Sequence, residues 1–209
     1  GIALLYGATG SFQLVEIQSN LAIGIWQSPM AMIGSLLMLA GFVFKIGAVP
    51  FHFWGPDVYQ GAPALTTATM STLAKVVAMA ALYKLLTAMN VEITYGFQIV
   101  IVVISIASMT VGNIMALKQT NVKRMLAFSG ISHAGFMLMT LLSLANSASS
   151  LLYYTTAYAL SGIAAFSVIL YVCKNQHNED ITNFHGLGKT HPFLAAVLTA
   201  SLLSMAGIP

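Results

Sequence analysis

Residues 29–54 read PMAMIGSLLMLAGFVFKIGAVPFHFW, an apolar stretch with one formal charge, Lys45. A helix rises 1.5 Å per residue, so about 20 apolar residues reach across the ~30 Å hydrocarbon core of a bilayer. The stretch therefore reads as a membrane-crossing helix. Ser28 and Pro29 suit its start, a hydroxyl cap followed by a ring already fixed at helical φ. Two features separate it from an ordinary span: a lysine lies within it, and Gly47 and Pro50 follow closely. Proline lacks an N–H and crowds the preceding turn, so the helix is expected to break there.

Similar apolar runs recur on both sides, at about 64–86, 96–117, 125–144 and 151–173, with partial ones at 1–6 and 193–209. Between them lie a mixed segment at 7–27 with a short interfacial helix near 12–17, a Gly/Pro-rich turn at 55–63, and polar residues around Asn90 and Glu92. The cluster Lys118, Lys123, Arg124 and a polar loop over 174–191 complete the set. The expected fold class is all-α, a polytopic transmembrane helix bundle with at least one proline-broken helix, and 1–209 forms a single membrane domain. Gly1 and Pro209 each fall inside an apolar run, so the chain is expected to be a fragment that continues both ways.

Composition supports this class. Hydrophobic residues make up 58% and charged residues 6%, against about 25% charged in a soluble domain. The mean hydropathy is +0.85. The lone cysteine, Cys173, excludes an internal disulfide, a cysteine-ligated iron–sulfur cluster and a four-cysteine zinc site, and reads as a small buried hydrophobe. No Gly-rich phosphate loop follows a strand. The net charge of +3 is too small for a nucleic-acid footprint. Because spans alternate sides, Lys118, Lys123, Arg124, Lys174, Lys189 and the 55–63 turn share one side, with Lys84 near the other. Basic loops favour the cytoplasm.

The chemistry concentrates on Lys45 and Lys75. At 1.5 Å per residue Lys75 is roughly 16 Å and Lys45 roughly 12 Å from the cytoplasmic face. Both are expected to face the bundle interior, because an ammonium near the bilayer centre costs about 3 kcal/mol and marks an ion or proton pathway. Burial disfavours the charged form of lysine, which lets it gain and lose a proton, and a nearby carboxylate would oppose that effect. Broken helices add a second sign. Gly47 and Pro50 interrupt one span, and Gly207 and Pro209 stand in a similar setting in the last. Freed carbonyls in a bilayer must be buried in protein or line a wet cavity, and such interruptions in two halves point to a transport site. His133, flanked by Ser129 and Ser132, is a candidate relay or a hydrogen-bonded helix contact. His52 is a candidate for the end of a proton inlet or an interfacial residue. His177, Glu179, Asp180, His185 and His191 match no metal-ligand spacing and read as a solvated loop, with no metal assigned. Asp57 reads as a turn residue, and the Met-rich and aromatic stretches read as packing.

The run Phe44-Lys45-Ile46-Gly47-Ala48-Val49-Pro50-Phe51-His52-Phe53-Trp54, continued by Pro56-Asp57-Val58-Tyr59-Gln60-Gly61-Ala62-Pro63, resembles the signature of the antiporter-like subunits of respiratory complex I. Ala116-Leu117-Lys118-Gln119-Thr120-Asn121-Val122-Lys123-Arg124 and Ile131-Ser132-His133-Ala134-Gly135-Phe136 resemble it too. The resemblance covers essentially the whole chain. It implies an inverted-repeat membrane subunit that couples quinone reduction to proton transport within a redox-driven translocase. It also implies that Lys45 is the lysine on the broken helix, Lys75 the central one beside it, and His133 part of the second repeat. The partners implied are other membrane subunits, including neighbouring antiporter-like ones, the lipid bilayer and no nucleic acid. NADH, FMN, iron–sulfur clusters and quinone are implied for other subunits, with no cofactor in this chain. The setting implied is a multi-pass protein of a bacterial inner membrane, or of an organellar energy-transducing one. The family's membrane glutamate would precede Gly1, and a second-half lysine or glutamate would follow Pro209. The alternative reading is a related cation/proton antiporter or membrane-bound hydrogenase-type complex.

The loop assignment is open to test. In vesicles of known orientation, a thiol introduced at Gln119 is expected to react with an impermeant maleimide from the cytoplasmic face, and one at Glu92 from the opposite face.

Overall fold

The structure, a computed structural model, describes residues 1–24, 28–89, 95–142, 144–174, 176 and 178–208, with backbone alone at 95 and 144–147. Asn90, Glu92, His177 and Pro209 lie outside the described residues. Helices α1 (Ile2–Thr9), α2 (Leu14–Ala22) and α3 (Pro29–Ile46) are followed by the short α4 (Trp54–Gly61). Next come α5 (Ala64–Thr69), a π-helical turn (Met70–Ala74) and α6 (Lys75–Ala88). The chain continues through α7 (Tyr95–Ala116), α8 (Val122–Thr140), α9 (Leu144–Val172), α10 (Leu187–Thr190) and α11 (Pro192–Met205). Among the described residues there is no strand, only an isolated bridge between Asn121 and Asp180.

Among the described residues, four helices are long and apolar enough to cross a bilayer: Pro29–Ile46, Ala64–Ala88, Gly96–Ala116 and Ala148–Val172. α8 is not among them. It opens with Lys123 and Arg124 and buries Ser132 and His133 in its middle. α7 packs closely along it, so few of its residues reach the outside. α11 is shorter, over Pro192–Met205.

The expected span over 29–54 is not one helix. α3 ends at Ile46, and the expected turn at 55–63 is largely helical as α4. The cause is Gly47, which takes the left-handed conformation with φ 73°, a region costly for residues with a Cβ. Gly47 N–H donates to the Phe44 carbonyl at 3.1 Å and Ala48 N–H to Val43 at 3.0 Å, closing the helix with a Schellman motif. The Trp54 indole N–H also donates to the Phe44 carbonyl at 3.0 Å, and Val49 N–H to Ser108 Oγ at 2.9 Å. The polar groups released by the break are thus satisfied inside the protein. α11 ends in the same way. Gly207 has φ 85°, its N–H donates to Ser204 at 3.1 Å, and Ile208 N–H donates to Leu203 at 3.0 Å.

Small residues bring the helices together. A Cβ on Gly112 would lie 2.6 Å from the Ser132 nitrogen, and one on Gly135 2.7 Å from the Ser105 carbonyl oxygen. Ser105 Oγ donates to that Gly135 region from across the interface, reaching the Gly135 carbonyl at 2.6 Å. Close backbone approach of this kind drives helix association where lipid removes the hydrophobic incentive. Gly34 plays the same part between α3 and α1, where a Cβ would lie 2.9 Å from the Leu5 nitrogen. At one end of the bundle the segments around 57–62, 120–124 and 179–181 meet. Val122 N–H donates to Glu179 and Ile181 N–H to Thr120, each at 2.9 Å.

Replacing Gly112 with Ala is expected to destabilise the fold by about 1–3 kcal/mol through overpacking. Gly41, whose Cβ would meet nothing within 4 Å, supplies the matched control. Thermal unfolding of both variants in detergent checks this.

Candidate functional site

Lys75 is the first residue after the π turn, within the otherwise continuous rod 64–88. A π turn adds a residue to one helical turn and so re-aims the side chains that follow. Lys75 is 7% exposed. Its Nζ donates to the Gly130 carbonyl of α8 at 2.8 Å. The rings of Tyr59 on α4 and Tyr158 on α9 stand 6.0 and 5.8 Å from Nζ, at the outer range of cation–π attraction. A Cβ at Gly130 would collide with the Lys75 ammonium and lie 2.9 Å from the Tyr158 hydroxyl. Any side chain at that position would have to push the ammonium or the phenol aside. Among the described residues Lys75 forms no ion pair. Its surroundings are a carbonyl and two phenols.

A polar path leads away from the ammonium. Tyr158 Oη and Ser71 Oγ are 3.3 Å apart, either able to donate. His133, three residues beyond Gly130 and so on the same face of α8, has its ring 4.9 Å from that of Tyr158. Its Nδ1 lies 2.7 Å from Tyr154 Oη. His133, Tyr154, Tyr158, Ser161, Ser204 and Gly207 line a cavity of ≈ 210 Å³. Water needs roughly 10–15 Å³ of such volume, so the cavity has room for several molecules. Ser161 Oγ donates to Ser204 Oγ at 2.8 Å across it, and the cavity ends at the α11 break. Toward the α3 break, by contrast, Lys75 meets a void of only ≈ 10 Å³, walled by Ile46, Gly47, Trp54, Gly55 and Tyr59 among others. Tyr158 and His133 thus stand between Lys75 and the cavity that reaches α11, while almost no space lies beside Lys75 toward α3.

Lys45 is not brought to this cluster. It is exposed on the outer side of α3. The groove it shares with Phe42, Leu73, Ala74, Val77, Ala78 and Ala81 is ≈ 430 Å³, so it stands level with Lys75 along α6 but on the far side. A second groove of ≈ 540 Å³ runs from Lys45 past Phe42, Met38 and Leu37 to Gly1. The expectation that both lysines face the interior thus fails for Lys45 within this chain. Helical geometry explains it. Leu39, Val43 and Ile46 occupy the buried stripe at three- and four-residue spacing, which turns residue 45 away from the core.

His52 is buried, its ring 4.2 Å from that of Phe53, and its Nδ1 has no hydrogen-bond partner among the described residues. No contact joins it to Lys75. Gly47 and Gly207 close α3 and α11 as described above, and Pro50 follows the first with its Val49–Pro50 bond cis. Asp57 is not a turn residue: it lies in the first turn of α4 and pairs with Arg124 at 2.5 Å. Glu179 of the polar loop pairs with Lys123 at 2.8 Å. Among the described residues no group of three His, Cys, Asp or Glu side chains could hold a metal. The residues missed from sequence are Tyr59, Tyr154, Tyr158, Gly130 and Ser204. The four-residue spacing of Tyr154 and Tyr158, which puts both on one face of α9, was the available signal.

Comparison with known proteins places these features in context. The model of the NADH:quinone oxidoreductase/Mrp antiporter transmembrane family matches residues 1–209. NADH-quinone oxidoreductase subunit N of Flavobacterium johnsoniae is 67% identical, over all of this chain and 46% of that protein. Respiratory complex I from Thermus thermophilus with bound aureothin contains a chain with TM-score 0.83 and 34% identity, covering all of this chain and 44% of that one. A chain of the membrane-bound sulfane sulfur reductase, an archaeal respiratory membrane complex, has TM-score 0.88 and 27% identity, covering all of this chain and 43% of the other. The chain spans about half the length of the curated relatives it matches.

Gly130→Ala is expected to cost about 1–3 kcal/mol because the methyl collides with the ammonium. Shortening the partner in Gly130→Ala with Lys75→Ala should recover part of that loss. A double-mutant cycle by thermal unfolding checks the coupling.

Proposed function

The chain belongs to the NADH:quinone oxidoreductase/Mrp antiporter transmembrane family, and from that premise we propose that it forms the proton-carrying membrane part of a subunit N of NADH–quinone oxidoreductase. The observation that carries this reading is the enclosed Lys75 ammonium, bonded to the Gly130 carbonyl and opening past Tyr158 and His133 toward a cavity of ≈ 210 Å³. An amine so placed can hold a proton against a carbonyl and two aromatic faces, and release it when the surrounding charge changes. Tyr158, His133 and Tyr154 supply hydroxyl and imidazole groups able to accept one proton and pass on another. The cavity supplies room for the water that completes such a chain.

In this reading Lys75 is the central proton carrier and His133 its relay. Lys45 is a second carrier, on a face that the remainder of the longer protein or a neighbouring antiporter-like subunit would cover, since an ammonium at mid-depth facing acyl chains is costly. His52 is assigned to the inlet side. Residues 1–209 act as one membrane domain, with α8 and α11 crossing beside the four longer spans, and the breaks at Gly47, Pro50, Gly207 and Pro209 mark corresponding points of two halves. Quinone reduction, NADH oxidation, FMN and iron–sulfur chemistry belong to partner subunits of the complex, and the setting is a bacterial inner membrane. The second reading, a cation/proton antiporter complex, is favoured by the breadth of the family, which includes Mrp antiporters. Transport that persists without an electron donor would select it.

The test uses the full-length protein in its complex, in inverted membrane vesicles. Lys75→Ala is expected to lower proton translocation coupled to quinone reduction severalfold, and Lys75→Arg to retain more of it. Unchanged pumping by an assembled Lys75→Ala complex sinks the proposal.

A further inference from the structure

Among the described residues the least exposed charged side chain is not Lys75 but Lys123, 2% exposed in the first turn of α8. Its Nζ donates to the Ala62 carbonyl at 2.8 Å and pairs with Glu179 Oε1 at the same distance. Ala62 is the residue that ends α4. The next residue reaches the same short helix from another angle. Arg124 Nη1 donates to Asp57 Oδ1 at 2.5 Å and to Gln60 Oε1 at 3.0 Å, with the guanidinium 5.9 Å from the Phe128 ring. α8 thus grips α4 at residues 57, 60 and 62.

α4 needs that grip. It has eight residues, and an isolated helix of that length is not stable. Its place must come from tertiary contacts. The helix is also the wall of the Lys75 site: Trp54, Gly55 and Tyr59 bound the ≈ 10 Å³ void beside the ammonium. Tyr59 is 3% exposed with its ring 6.0 Å from Nζ, and its carbonyl accepts from Thr67 Oγ1 at 3.2 Å. The Gly130 carbonyl that receives the Lys75 proton donor lies six residues beyond Arg124 on α8, about 9 Å along the axis. One helix therefore sets both the acceptor of Lys75 and the wall that closes over it.

We propose that Lys123 and Arg124 are positioning residues for the Lys75 site: by pinning α4 to the first turn of α8, they hold Tyr59 and Gly55 over the ammonium and keep it closed toward the loop end. Lys123 carries more of this than Arg124. Lys123 itself is buried and its partner Glu179 is 28% exposed, whereas Asp57 is 71% exposed and water screens that pair more strongly. The proposal rests on reading Lys75 as the proton carrier only for its functional meaning; the placement of α4 is a separate matter of geometry.

The experiment places a reporter on α4. A Cβ at Gly55 meets nothing within 4 Å, so Gly55→Cys, with Cys173→Ser, gives an accommodated thiol in the full-length protein within its complex. Its reaction with an impermeant maleimide is followed on this chain by mass spectrometry. Labelling is expected to be slow in the parent and roughly tenfold faster with Lys123→Met, matching the loss of about one decade in the closing equilibrium. Arg124→Gln should accelerate it less, and Lys123→Arg and the exchanged pair Asp57→Arg with Arg124→Asp should restore slow labelling. Should Lys123→Met fail to assemble, Arg124→Gln and Asp57→Asn carry the comparison. Labelling that stays at the parent rate in assembled Arg124→Gln and Asp57→Asn complexes overturns the proposal. Because the thiol reports where α4 sits whether or not Lys75 moves protons, failure here is distinct from failure of the Lys75→Ala pumping test.

Discussion

In a lipid-embedded bundle no water stands ready at the hydrocarbon face to satisfy a stray carbonyl or cation, so such groups must find partners within the protein or line a wet cavity. That constraint organises this chain. The break after α3 is tolerated because Gly47 closes the helix on itself, Trp54 donates its indole N–H to the Phe44 carbonyl, and Ser108 accepts the Val49 N–H. The break after α11 uses the same closing pattern at Gly207. Lys75 is tolerated by the same logic, with the Gly130 carbonyl accepting a hydrogen bond from its ammonium and two aromatic rings beside it.

Small residues make that arrangement reachable. Gly112, Gly135 and Ser105 let α7 and α8 approach to backbone distance, and the rigid pair then presents Gly130 and His133 on one face. Gly130 leaves the space into which the lysine fits, and His133 continues the polar surface toward Tyr154 and the cavity. The π turn before Lys75 sets the direction of the side chain. None of these features carries charge or obvious chemistry, yet each determines where the chemistry can occur.

The two lysines, level along α6, have opposite surroundings. Lys75 is sealed among α4, α8 and α9, while Lys45 looks outward over two apolar grooves. The chain is about half as long as its relatives, and the covering of Lys45 by a further protein surface belongs to the proposed function. Lys75 already has its hydrogen bond and its aromatic neighbours within this chain, which is why the functional reading rests on it. The loop end shows a similar division of labour. Lys118 remains exposed, while Lys123 and Arg124 of the same basic cluster turn inward to hold α4.

By itself the sequence determined that the chain is a bundle of membrane helices, because 6% charge cannot cover a soluble surface. It determined that Lys45 and Lys75 sit within apolar runs and that Gly47 and Gly207 interrupt helices, since these follow from local composition and backbone chemistry. Tertiary structure alone decided which lysine is enclosed. Facing is set by a few tens of degrees of helix rotation, by an unsignalled π turn at 70–74, and by which stripe of α3 meets the core. It alone made Tyr158 and Gly130 part of the site, and it turned Asp57 and Glu179 from loop residues into ion-pair partners of α8. The contacts of Lys75 with Gly130 and Tyr158, and the ion pairs of Asp57 and Glu179, join residues more than fifty positions apart in the chain, a separation at which local pattern carries no information.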